Sequence, residues 1–122
     1  MVSMEEFREY LDEACEQIPE EYYGELNGGV LLREEVKIHP KSNGDELKIM
    51  GEYVYSRTMG RLIYIYYGSF MAVYGEASKE LLKGEIKHTL EHELTHHLES
   101  LAGEKDLEIA DEIQIHRYLE RK

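Results

Sequence analysis

The stretch KHTLEHELTHHLESLAGEKD, residues 87–106, carries four histidines within ten positions. Ser78 stands before it as an N-cap, and Leu82, Ile86, Leu90, Leu94 and Leu98 recur every four residues. This spacing predicts a helix from about Lys79 to Leu101 with a leucine core stripe. Gly103 is placed to stop it. At about 100° per residue, His88, His92 and His96 follow one another by about 40° on the side roughly opposite the leucines. They face a cleft or solvent. His97 is turned about 100° from His96, toward the leucines, and reads as a partly buried, hydrogen-bonded histidine.

Two metal-ligand patterns overlap on this helix: His88-x-x-Glu91-His92 and His92-Glu93-x-x-His96. His88 and His96 are about 12 Å apart along the axis, whereas zinc binds imidazole nitrogen at about 2.0 to 2.1 Å, so one ion takes an i, i+4 pair but not all three. His92 belongs to both pairs. The first pattern needs a third ligand from a longer downstream region, and only thirty residues follow His92. The second is favoured, with His92 and His96 as zinc ligands and Glu93 as the general base toward a metal-activated water.

The third ligand must come from beyond that pair. Gly103-Glu104-Lys105-Asp106 offers a helix-ending glycine followed three residues later by a carboxylate, the local arrangement of the GxxH half of HExxHxxGxxH. The chain uses Asp for only 4 of its 26 acids, so an Asp here suggests that a short side chain matters. Asp106 is the preferred ligand, although it is equally placed to cap a last helix. Glu99, on the same helix face as His96, is the alternative; its plainer roles are a surface charge or an acceptor for His96.

Upstream, Ser3 and Glu6 form a capping box, and Phe7, Leu11, Ala14 and Ile18 recur at helical spacing up to Pro19, predicting a helix over about 4–18. Asn27-Gly28-Gly29 breaks the chain before an extended segment, or two short ones, from Val30 to His39-Pro40. Residues 47–55 read as one strand and Leu62–Tyr67 as another, joined by a hairpin loop containing Gly60. The second is apolar or aromatic throughout and is expected inside the sheet, leaving 47–55 at its edge. Tyr64, Tyr66 and Tyr67 are explained first by packing. A last helix is expected over about 107–119.

One domain, residues 1–122, accommodates all of this. A formal charge of -12 opposes nucleic acid and anionic membrane surfaces as partners. The longest apolar stretch, LIYIYYGSFMAVYG, is too short to span a bilayer, and MVSMEEFREY has no basic, then apolar, leader pattern, so a cytoplasmic location is expected. The single cysteine, Cys15, falls on the apolar stripe of the first helix and reads as a small hydrophobe.

Taken together, ELNGGV at 25–30, GEY at 51–53, IYYGSF at 65–70 and above all HELTHHLESLAGEKDLE at 92–108 resemble the short bacterial zincin-like metallopeptidases, or minimal zincins. The resemblance implies an α+β fold in which a small mixed sheet packs on an active-site helix, with N- and C-terminal helices. It also implies zinc on His92, His96 and Asp106. This chain differs from the shorter HExxHxxGxxD arrangement by four extra residues before Gly103, and no methionine follows Asp106 to make a Met-turn. The expectation is a zinc-dependent peptidase acting on a peptide or protein laid along the edge strand 47–55. The rival is a zinc-stabilised or metal-free acidic interaction domain with little or no catalysis.

Overall fold

The computed structural model describes residues 1–42, 44 and 47–105. Helix α1 (Met4–Gln17) starts from the expected capping box: Ser3 Oγ accepts the Glu6 N–H at 3.1 Å, and Glu6 Oε1 accepts the Ser3 N–H at 3.4 Å. Two donors that the first turn leaves unbonded are thereby satisfied. Pro19 then leads into a short 3-10 turn, Glu20–Tyr23, which the sequence pattern did not announce.

Five strands follow: β1 (Gly29–Arg33), β2 (Lys37–Ile38), β3 (Lys48–Ile49), β4 (Gly51–Ser56) and β5 (Gly60–Tyr66). The main sheet has the order β1-β5-β4, with β1 parallel and β4 antiparallel to β5; β2 and β3 form a separate antiparallel pair. The segment from Val30 to His39 is therefore two strands, and the single strand expected over 47–55 is divided by a bend at Met50. Gly60, at φ +76°, closes the β4–β5 hairpin. β5 occupies the centre and β4 the outer position, as its uninterrupted apolar character and its neighbour's mixed character imply. The apolar run does not continue as strand: Tyr67 opens helix α2 (Tyr67–Tyr74).

Helix α3 (Lys79–Lys105) is capped by Ser78, whose Oγ accepts the Leu81 N–H at 3.1 Å. Leu82, Ile86, Leu90 and Leu94 are buried along one stripe. They meet Phe7 and Leu11 of α1, Ile63 and Ile65 of β5 and Phe70 of α2 in one core, with α3 packed against α1, β4 and β5. Gly103 does not stop this helix, contrary to the sequence expectation. A helical glycine costs only about 1 kcal/mol relative to alanine, and burial of the neighbouring Ala102 is one packing contribution that opposes the loss. Asp106 and the helix expected over 107–119 lie outside the described residues. Among those described, no helix is long and apolar enough to cross a membrane.

Two contacts fix α3 against β4. His97 is fully buried, with Nε2 2.7 Å from the Gly24 carbonyl oxygen and Nδ1 2.9 Å from the Tyr53 hydroxyl. A carbonyl only accepts, so Nε2 carries the hydrogen and Nδ1 receives the tyrosine's. One neutral imidazole thus ties α3 to β4 and to the loop after the 3-10 turn. Burial holds its pKa below the ordinary histidine value, the Arg61 charge acting in the same direction and the Gly24 hydrogen bond opposing both. The second contact is a close approach. A Cβ on Gly51 would stand 2.8 Å from Thr89 Cγ2 and 3.2 Å from Ile65 Cδ1, so only glycine allows β4 this near the helix.

Both contacts predict measurable effects. Because the unfolded chain binds a proton on His97 near pH 6.5 and the folded chain only at lower pH, this residue's contribution is complete above about 6.5. It is lost as pH falls from there toward the depressed folded value. The urea midpoint of the wild type should therefore drop more between pH 7.5 and 5.5 than that of His97→Gln; equal drops would refute the assignment. Gly51→Ala should cost about 1–3 kcal/mol of unfolding free energy, and Thr89→Ser in the same chain should restore much of it.

Candidate metal centre and groove

Helix α3 presents different chemistry on successive faces. Leu82, Ile86, Leu90 and Leu94 are buried and Leu98, expected in the same stripe, only partly so; Thr89, Glu93 and Ser100 lie toward β4, and His88, His92 and His96 are exposed. Of the histidines, the structure brings His92 and His96 together: their Nε2 atoms are 3.2 Å apart, with ring planes at 87° and ring centroids at 4.7 Å. Two nitrogens sharing one tetrahedral zinc at about 2.0 to 2.1 Å would be about 3.3 Å apart. The observed separation is close to that spacing. His88 stands a turn earlier, exposed.

Beside the pair runs an open groove of about 590 Å³ between the edge of β4 and α3. Gly51, Tyr53, Glu93, His96 and Glu99 are among its lining residues. Glu93 is 8% exposed, whereas the neighbouring His92 and His96 are exposed. Among the described residues, the lining includes Glu52, Glu93 and Glu99 and no lysine or arginine. Glu52 is anchored by Tyr66, whose hydroxyl donates to Oε1 at 2.8 Å and is held protonated by burial and by that bond, its pKa pushed well above the usual tyrosine range.

Glu99 shares the groove with His96, but among the described residues no group of three histidine, cysteine or acidic side chains converges as a metal site. The first choice for the third ligand, Asp106, falls outside them. His97, expected to be partly buried, is entirely so and belongs to the scaffold. Tyr53 is likewise engaged, through His97. Tyr67 is committed to the Val2 carbonyl at 2.6 Å, and the ring of Tyr64 lies 5.2 Å beneath the Arg33 guanidinium.

Sequence reasoning missed Gly51 and Tyr53 as makers of the groove. A glycine inside a strand was the available signal, since it marks close approach of another element. The strand also has a usable edge. Tyr66 N–H donates to the Met50 carbonyl at 2.9 Å, and antiparallel pairing alternates, so Glu52, Val54 and Ser56 direct their backbone groups toward β5. Gly51, Tyr53 and Tyr55 direct theirs away from the sheet.

No curated protein matches the chain. A solved structure, a conserved hypothetical protein from Thermo thermophilus, is similar at 37% identity with a TM-score of 0.71, covering 84% of this chain and 100% of that one. A family model described as zincin-like metallopeptidase matches residues 32–115, well over half of the sequence, including the whole of β5, α2 and α3. A small mixed sheet packed against helices is the α+β arrangement that such a family implies, and the chain belongs to the zincin-like metallopeptidase family.

Proposed function

We propose that this protein is a zinc-dependent peptidase whose site is the His92–His96 pair and the adjoining groove. The observation that carries the reading is the 3.2 Å separation of the two Nε2 atoms on the same helix as Glu93, with Glu93 and His96 lining one groove. His92 and His96 would hold the ion, and the third donor is assigned to Asp106. Zinc bound there supplies a Lewis acid that makes water more acidic and a carbonyl more electrophilic.

The chain's own residues then have separate tasks. Glu93 accepts a proton from the attacking water and returns it to the leaving amine, a role favoured by its small exposure and its position one residue from a ligand. The outward backbone groups of Gly51, Tyr53 and Tyr55 receive an extended peptide as an added strand, which places its backbone over the groove. The His97 bonds and the Gly51–Thr89 approach keep that strand at a fixed height above Glu93 and His96.

Six variants test the reading. The purified wild type should bind about one zinc per chain, His92→Ala and His96→Ala should bind none, and His88→Ala should be unaffected. Loss of zinc in His88→Ala with retention in His96→Ala would move the site to the earlier pair. Glu93→Gln should keep zinc and stability while peptide hydrolysis falls by about 10² to 10⁴; a zinc-loaded wild type that cleaves nothing in a diverse peptide library favours the interaction domain instead. Asparagine caps helices well and ligates zinc poorly, so Asp106→Asn should weaken zinc binding more than Glu99→Gln does. The reverse ranking would give the third position to Glu99.

A further inference from the structure

Tyr55 is a large aromatic side chain left 63% exposed at the edge of the sheet. Its setting is not that of an ordinary surface residue. In the β4–β5 register it faces Arg61, whose guanidinium carbon lies 4.2 Å from the centre of the Tyr55 ring. Arg61 is itself only 7% exposed and bonds Ser100 Oγ of α3 at 3.3 Å, so the group supporting the ring is anchored on the helix that carries the metal pair.

The placement relative to the groove follows from strand geometry. Gly51 touches Thr89 and Tyr53 bonds His97, both on α3; side chains alternate along a strand, so Tyr55 projects to the same side. It lies about 7 Å beyond Tyr53, which lines the groove. Tyr55 is also one of the three residues whose backbone groups point away from β5. A peptide added along this edge therefore passes the Tyr55 ring about two residues from the position above Glu93 and His96.

We propose that Tyr55 is a specificity-determining residue: an aromatic platform that receives an aromatic or branched aliphatic side chain of the substrate, about two residues from the bond cleaved. This deepens the peptidase reading and rests on it. One face of the ring already carries a guanidinium, so a lysine or arginine stacked on the other would meet a like charge through a ring whose electrons are already drawn toward Arg61. An apolar side chain meets no such penalty and gains buried area and ring contact.

The test uses zinc-loaded full-length protein and a positional-scanning library of ten-residue peptides, read for cleavage with the wild type and for binding with Glu93→Gln. One position about two residues from the cut should favour Phe, Tyr and Leu over Lys and Arg. Tyr55→Ala should lower kcat/KM for such peptides by about three- to tenfold more than for peptides with alanine at that position; Tyr55→Phe should retain the preference. Cleavage with a preference indifferent to Tyr55→Ala, or with lysine or arginine preferred there, overturns the platform and leaves the peptidase assignment standing. Absent cleavage with Tyr55-dependent binding to Glu93→Gln would do the opposite. Absent cleavage with binding indifferent to Tyr55→Ala would overturn both.

Discussion

One buried imidazole sets the height of the sheet edge above the helix that carries His92 and His96. His97 donates to Gly24 and accepts from Tyr53, so α3, β4 and the loop after the 3-10 turn meet at one buried polar junction. Such a junction is demanding: losing any partner leaves a buried polar group unsatisfied, at about 1–3 kcal/mol. Depression of the His97 pKa favours the neutral ring, in which Nε2 donates to the Gly24 carbonyl and Nδ1 accepts from the Tyr53 hydroxyl. The groove depends on this junction because Tyr53 is a wall of the groove as well as a partner of His97.

The junction also accounts for how so short a chain separates structure from chemistry on one helix. His96 and His97 are neighbours in sequence with opposite fates, one exposed beside His92 and the other sealed in the core. A helical step of about 100° is enough to do this. Two further contacts hold the sheet to this helix: Gly51 lets β4 descend to Thr89, and Arg61 reaches across from β5 to Ser100. A strand edge with outward backbone groups then stands beside two convergent imidazoles and a nearly buried carboxylate.

Much of this was legible in the sequence because it rests on local periodicity. The α1 capping box, the leucine stripe of α3, the interior character of β5 and the pairing of His92 with His96 all follow from spacing on a regular element. What escaped depended on distant partners. Nothing near Gly51 in sequence announces Thr89, and nothing near His97 announces Gly24, which lies 73 residues away. The Met50 bend and the conversion of the Tyr67 region into helix were hidden for a related reason, since apolar runs of that length suit either state. Gly103 misled in the other direction: glycine is a frequent helix stop, but here the helix passes through it.

The central claim is that one zinc ion is held by two imidazoles, those of His92 and His96. Zinc K-edge X-ray absorption on the zinc-loaded wild type measures it directly. The account predicts a four-coordinate shell of nitrogen and oxygen at about 2.0 to 2.1 Å, with outer-shell scattering from two imidazole rings. A shell with no imidazole scattering, or with a single ring, would contradict it.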